Sequence, residues 1–527
     1  MSSSDFVLFP KQPVPQPAAT PAAAPPVPHP FGPRLLMGVL GVFAAAMMSG
    51  LNSRIGGLAL NEIRTAYGMG IDDGSWISSL YAAFEMAAMP FSAWFAVTFS
   101  FRKYHLSVVA IFVVLGLLTP LAPNVASLLV LRSLQGFFGG LLIPVLMAAA
   151  LRFFPTPIRL YGLALYAMTA TFSPNVATWI SSMLTETGLS WHFLFWQTLP
   201  LAAVALAGVY WGIPQDPVRL ERFRQVDLLG MVTGIAGLAM IGVALTQGER
   251  LDWFASGLIC WLAGTGALLF IIFLVCEWFH PLPFVKLQLL HRRNLGLGFI
   301  VFLGLVVLLL SGSLLPADYL GHAWHFRTPN LAVIGLQVGL PQFIVGPAVS
   351  YLLYKKWIDA RYLFATGLVL LAASCWQASQ ITPAWMAEQF FVAQTLQVFG
   401  QSMTVISLLF LATSVVQPME GPQVSGIVNV LRAFGTMFGG ALIGRLLHVR
   451  EATHANVLLD QAANVHRSVA VNASDAFVDV ALRVSHQAFV LSIADSYMAL
   501  GVLALLLVPL VLALDYIAPP VIAKTQH

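Results

Sequence analysis

The sequence predicts an all-α polytopic membrane protein with fourteen transmembrane helices, and three observations carry that prediction. Of its 527 residues, 58% are hydrophobic and only 9% are charged, against about 25% charged in an ordinary soluble domain. Such a chain cannot cover a water-exposed surface, so most of its solvent must be lipid. Apolar runs of about 20 residues, each long enough to cross a hydrocarbon core of roughly 30 Å, recur along nearly the whole length. Most lysines and arginines fall in the connections between those runs, and mostly on one side.

Residues 1–34 are rich in Pro and Ala and hold no apolar core of signal-peptide length, which predicts a disordered cytoplasmic tail. The expected spans are 35–60, 76–98, 105–121, 126–150, 160–184, 192–213, 227–247, 255–276, 296–320, 331–354, 361–381, 385–416, 424–447 and 494–518. An even number leaves both termini on one side. With that side cytoplasmic, the inner segments hold sixteen Lys and Arg, whereas the short outer loops hold only Arg64, Arg250 and Arg327. The positive-inside rule then places the N-terminus and the 519–527 tail in the cytoplasm.

The spacing also predicts a duplication. Residues 35–213 form an N-terminal six-helix bundle and 296–518 a C-terminal one, of equal length once the outer segment 448–493 is set aside. Residues 214–295 are a linker carrying two extra transmembrane helices. Matching basic loops follow the second helix of each half: Arg102 and Lys103 in the first, Lys355, Lys356, Asp359 and Arg361 in the second. These are candidate conformational-switch loops. Segment 448–493 is polar for this protein and is expected outside. Its last part, from Asp475 onward, has helical spacing and is expected to run into the final span.

Several classes drop out. The formal charge is +4, but the basic residues form no patch or stripe, so no nucleic-acid partner is expected. Cys260, Cys276 and Cys375 lie in apolar runs without a C-x-x-C pair and are expected to be packed thiols, not metal ligands. His322 and His325 lack a third ligand, and no metal site is expected. The absence of a Gly-rich phosphate loop with its lysine argues against ATP drive.

Certain motifs resemble a known family. Leu131-Arg-Ser-Leu-Gln-Gly-Phe-Phe-Gly-Gly140 resembles the fourth-helix R-x-x-Q-G motif of the major facilitator superfamily. Gln247-Gly-Glu-Arg-Leu-Asp-Trp-Phe254, with Asp252 and Trp253, resembles the D-W loop signature of its fourteen-helix drug:proton antiporter branch of EmrB/QacA type. Gly426-Ile-Val-Asn-Val-Leu-Arg-Ala-Phe-Gly435 is similar to the N-x-x-R-x-x-G pattern of the thirteenth helix in that branch, and Arg450-Glu-Ala-Thr-His454 resembles the start of its long outer loop. The resemblance spans roughly 35–518. There are departures: Asn52 stands where the family carries an acid in helix one, the loop after helix two loses both glycines, and of the fifth-helix antiporter motif only Pro174 is kept. The chain thus resembles a divergent member.

An ionisable side chain inside a span costs at least about 2.5–3.5 kcal/mol and is a functional candidate. Arg54, Glu85 and Arg132 lie at similar depths, roughly 9–14 Å along their helices at 1.5 Å per residue. A sheltered Glu85 carboxylate paired with one of these arginines suits proton coupling; the alternative is a static ion pair that fixes packing. Asn52, Gln135, Asn429 and Arg432 are candidates to line a substrate cavity. Asp252 and Trp253 are expected to fix a turn in an outer loop. Gly136, Gly139 and Gly140 put small residues on one helix face, as do Gly435, Gly439 and Gly440, which permits close helix approach.

What the resemblance implies is proton-driven efflux of small hydrophobic or amphipathic compounds across a bacterial inner membrane, with the proton gradient as energy source and no cofactor. Its partners would be the lipid bilayer, a small-molecule substrate, and a periplasmic membrane-fusion adaptor with an outer-membrane channel, the adaptor meeting segment 448–493. Two alternatives stay open: export of a specific organic acid or siderophore-like metabolite read by Arg432 or Arg54, and a non-transporting membrane receptor or enzyme on the same scaffold.

Overall fold

A computed structural model describes residues 31–186, 190–355, 357–417, 420–466 and 473–518. Most of the 1–34 tail, Lys356 and the 519–527 tail lie outside the described residues. Eighteen α-helices follow one another along them. They are α1 (Pro33–Leu58), α2 (Leu60–Tyr67), α3 (Ile71–Phe99), α4 (Phe101–Leu118), α5 (Val125–Phe153), α6 (Arg159–Glu186), α7 (His192–Trp196), α8 (Leu199–Gly212), α9 (Leu228–Gln247), α10 (Gly257–Phe279), α11 (Arg293–Leu309), α12 (Leu314–Trp324), α13 (Thr328–Gly339), α14 (Gln342–Leu353), α15 (Ala360–Ala378), α16 (Phe391–Thr413), α17 (Gly421–His466) and α18 (Ala473–Leu512).

Twelve helical stretches among the described residues are long and apolar enough to cross a membrane. Helices α6 and α15, at the places expected for the fifth and eleventh spans, are 28 and 19 residues long but fall outside that criterion. The ends of the helices obey local chemistry. Asn124 opens α5 by accepting from the Ser127 amide at 2.8 Å, Asp227 opens α9 through the Gly230 amide at 2.7 Å, and Asp359 opens α15 through the Arg361 amide at 2.9 Å. Each satisfies an amide the helix cannot satisfy itself.

The face of the bundle where α1 begins and α18 ends is here the terminal face; the other is the far face. At the terminal face, Asn294 exchanges two hydrogen bonds with the Asp515 backbone, at 3.1 and 2.7 Å. The crossing that begins with α11 breaks at Leu310–Gly312, a single 3₁₀ turn, and resumes as α12. Gln394 of α16 satisfies the carbonyl of Gly312 at that break (3.1 Å). Helices α3 and α5 pack at backbone distance: a Cβ on Gly136 would strike the Tyr81 carbonyl, and one on Gly140 the Glu85 carbonyl. Gly440, expected to serve close packing as well, instead has open space beside it.

Segment 448–493 differs from expectation. The stretch from Arg450, read as the start of a loop, continues α17 without interruption to His466. Residues 445–466 contain neither Gly nor Pro and are dominated by good helix formers. With 46 residues, α17 is about 69 Å long, more than twice the hydrocarbon core. The final helix α18 starts at Ala473, so the stretch from Asp475 is helical as anticipated. The two are tied to each other by Asp495, which accepts from Arg450 Nε (2.5 Å) and contacts His454 Nε2 (2.8 Å). Of the three cysteines only Cys375 is buried; Cys260 is exposed, on a helix most of whose large apolar residues face outward, Ile259 and Phe273 being buried.

Candidate functional site

A cavity of about 650 Å³ lies between the helices of the two halves. It is sealed at the terminal face by contacts that join α5 and α6 to α14 and α17. Ser425 Oγ donates to the Pro144 carbonyl (2.6 Å), Tyr354 accepts from the Leu160 amide (3.2 Å), Ser350 Oγ donates to the Leu160 carbonyl (3.4 Å), and Gly421 sits against Leu151. From there the lining runs past Met89, Ala164 and Ile406 to Glu249, Ser313 and Ala441 at the far ends of their helices. The charged residues on this wall are Arg54, Glu85, Glu249 and Arg432.

Glu85 is half-buried, and Ser49 Oγ donates to its Oε1 at 3.4 Å. The ion pair expected with Arg54 or Arg132 is not formed: no basic nitrogen of a described residue lies within 4 Å of its carboxylate. The guanidiniums of Arg432, Arg132 and Arg54 nonetheless act on its charge. Arg432 comes from α17, on the other half of the molecule, a relationship that sequence distance conceals. Arg432 lines the cavity with its guanidinium 5.6 Å from the Tyr166 ring, and its Nη1 is buried without a hydrogen-bond partner. Arg54 is exposed into the same space.

Arg132 has a different neighbourhood. It is fully buried, and its Nη1 donates to Asn52 Oδ1 (2.7 Å) and Gln135 Oε1 (2.8 Å). Its guanidinium stands 4.3 Å from the Tyr81 ring and 5.6 Å from that of Phe195. Amide oxygens and aromatic faces thus hold the charge that a carboxylate would ordinarily neutralise. Asn52 and Gln135, expected to line a cavity, are buried behind its wall because Arg132 claims both oxygens. Asn429 is buried too: it accepts from Tyr166 Oη (2.9 Å) and donates to the Ser425 carbonyl (2.8 Å), which builds the seal.

Two residues of this cluster escaped the sequence reading. Tyr81 lies under Arg132 and donates to the Ser49 carbonyl (3.3 Å), and Ser49 in turn donates to Glu85. A physical chain thus runs from Arg132 through Tyr81 and Ser49 to Glu85. Both were legible in principle, since Tyr81 precedes Glu85 by four residues and Ser49 precedes Asn52 by three, spacings that share a helix face.

Other candidates sit away from the cavity. Arg102 stacks over Tyr210 (4.5 Å) and Lys355 over Tyr351 (4.4 Å), Lys103 is exposed, and Arg361 pairs with Asp359 at 2.8 Å. The side chain of Pro174 lies outside the described residues. Asp252 and Trp253 both take positive φ, 55° and 45°, and Trp253 Nε1 donates to Glu249 Oε2 at 2.7 Å. No group of three metal-ligating side chains occurs among the described residues.

Comparison with known proteins agrees with this architecture. The profile of the Major Facilitator Superfamily matches residues 42–440. The chain is 26% identical to the colistin resistance protein EmrB of Acinetobacter baumannii over 88% of its own length and 93% of that protein. It is 25% identical to the fatty acid resistance protein FarB of Neisseria gonorrhoeae, over 89% and 93%. To the multidrug export protein EmrB of Escherichia coli it is 22% identical, over 80% and 82%. Among solved structures, the human organic anion transporter MFSD10 (TETRAN) superposes with a TM-score of 0.56 at 14% identity, covering 91% of this chain and 100% of that one. The proton:xylose symporter XylE gives 0.55 at 11%, covering 92% and 96%. These likenesses fix the fold.

Proposed function

The chain belongs to the Major Facilitator Superfamily, and from that premise we propose that it is a proton-driven exporter of small hydrophobic or amphipathic compounds. As a multi-pass membrane protein of a transporter family it acts on a small molecule across a lipid bilayer. Curated relatives named for multidrug export and for colistin or fatty acid resistance support efflux as the direction. The observation that carries proton coupling is the placement of Glu85: a carboxylate on the wall of a cavity sealed at one face, within the field of three guanidiniums and bonded to none. Such a group can take up a proton from the open side and release it after the seal has changed face.

Antiport requires substrate and proton to oppose each other. A hydrogen-bond-donating ligand near Glu85 favours its ionised form and so expels the proton. Arg132, Tyr81 and Ser49 hold the carboxylate in position. On this reading the terminal face is cytoplasmic and the far face periplasmic, which the charge bias of the loops supports, and the α17–α18 extension would meet a membrane-fusion adaptor leading to an outer-membrane channel.

Reconstituted vesicles with a preformed pH gradient test the reading. Added substrate should dissipate the gradient, and Glu85→Gln should cut that flux more than tenfold while binding stays within about threefold. Full flux in the Glu85→Gln protein removes Glu85 from the mechanism.

The buried, unpartnered Nη1 of Arg432 favours a second reading, export of an organic acid. The two differ in sign. An anion competing with Glu85 for the same guanidiniums binds better when Glu85 is protonated, so its affinity falls as pH rises; a cation shows the reverse.

A further inference from the structure

We propose that the first of the two extra helices, α9, forms part of the binding cavity, and that Glu249, set by Trp253, receives the cationic head of an amphipathic ligand at the cavity mouth. The proposal rests on the efflux reading and names the substrate class that its mouth selects.

Helix α9 is wedged between the two halves. Its Leu238 and Ala239 pack with Met86 and Ala87 of α3 and with Val430, Ala433, Phe434 and Met437 of α17. Beyond that apolar seam, Leu245, Thr246 and Glu249 lie on the cavity wall itself. The wedge is fastened to α3: Gln247 Nε2 donates to Ser79 Oγ (2.7 Å) and Ser75 Oγ (3.1 Å), and Arg250 Nη1 faces Asp72 (3.3 Å). Arg250 Nε is also committed to Gln247 Oε1 (2.6 Å), so this arginine does not neutralise Glu249.

The turn after α9 is built at a cost. Two successive non-glycine residues, Asp252 and Trp253, are held in the left-handed region, and the Trp253 ring covers Gly248 so closely that a Cβ there would lie 2.6 Å from it. What the turn gains is the indole hydrogen bond to Glu249 Oε2, which fixes the carboxylate. Its other oxygen, Oε1, faces Arg445 Nη1 and His448 Nδ1 of α17, both at 3.9 Å and beyond hydrogen-bond reach. One oxygen is thus anchored and the other is only loosely matched.

Deeper in the cavity Arg54 and Arg432 repel a cation, while Val306, Leu309, Ile406 and Met437 line its apolar flank. An amphipathic cation therefore lies with its apolar body inward and its charge at Glu249, in exchange for the loose contacts to Arg445 and His448.

Two ions of one shape and opposite charge, tetraphenylphosphonium and tetraphenylborate, test this by equilibrium binding to the purified full-length protein. Glu249→Gln should weaken phosphonium binding about five- to tenfold and leave borate binding unchanged or tighter. Trp253→Phe, which keeps the ring and removes the donor, should weaken phosphonium binding about two- to fivefold, and Glu249→Asp should retain most of it. Equal effects on both ions, or none on the phosphonium, overturn the proposal. Wild-type binding of the borate alone overturns it while leaving the efflux reading intact; binding of neither ion overturns both.

Discussion

Asn52 Oδ1 accepts a 2.7 Å hydrogen bond from Nη1 of the fully buried Arg132, where the resembled family would place a carboxylate. This chain therefore keeps a buried guanidinium whose charge is matched by amide oxygens. The carboxylate on which that charge acts is Glu85.

Replacing Asn52 by Asp tests this arrangement. The new carboxylate should close a charge-assisted bond with Arg132 and divert the guanidinium from Glu85. Proton-coupled flux should fall at least threefold at neutral pH with thermal stability unchanged or higher, as followed by vesicle flux and unfolding in detergent. Unaltered flux would show that Arg132 does not act on Glu85.

Ser49→Ala removes the only hydrogen bond given to the Glu85 carboxylate by a described side chain. At 3.4 Å that bond is long for a hydroxyl donor, so its loss is worth about 0.5 kcal/mol. Coupled flux in vesicles should fall about twofold, since about 0.5 kcal/mol is a little over a factor of two. Ser49→Thr should restore the wild-type flux, which a change in packing alone would not do.

Gly140→Ala places a methyl group against the Glu85 carbonyl, a backbone atom that cannot move aside without shifting α3. Overpacking of this kind costs about 1–3 kcal/mol. A lower unfolding temperature together with reduced flux is expected, because displacing α3 displaces Glu85. Wild-type behaviour would show that α3 and α5 are not locked together.

Glu420, just ahead of α17, accepts from Arg292 Nη1 (2.7 Å) and Nη2 (3.0 Å), from Lys286 Nζ (3.3 Å) and from the Gln417 amide (3.2 Å). Burial pushes this carboxyl up, but these hydrogen bonds outweigh it and hold it below the ordinary glutamate value. A depressed folded-state value means that the stabilisation is complete above the unfolded value of about 4.3 and is lost as pH falls through the folded one. Glu420→Gln should lower stability by about 1–3 kcal/mol at pH 7. The gap from wild type should close progressively below about pH 4, as read by thermal unfolding across pH.

The membrane class and most helix positions were legible because a lipid solvent writes its demand into composition and run length. Arg132, Glu85 and Arg432 were legible as candidates because charge inside an apolar run stands out. Their pairing was not. Which acid faces which arginine depends on helix rotation and on how the two halves sit together, as for Glu85 and Arg432, which line one cavity though they are more than 300 residues apart. Asn52 was misjudged for the same reason, since nothing local shows that Arg132 takes its oxygen. The loop start at Arg450 came from the family resemblance alone, and the residues themselves argue for helix, since residues 445–466 hold neither Gly nor Pro to end it.

The continuity of α17 gives the molecule a mechanical pointer. The helix starts at the seal, passes the cavity at Arg432 and the mouth at Arg445, and ends far beyond the bundle. A rod of about 69 Å that tilts by about ten degrees at its base moves its tip by about 12 Å. A partner resting on that tip would sense which way the cavity faces without touching the cargo.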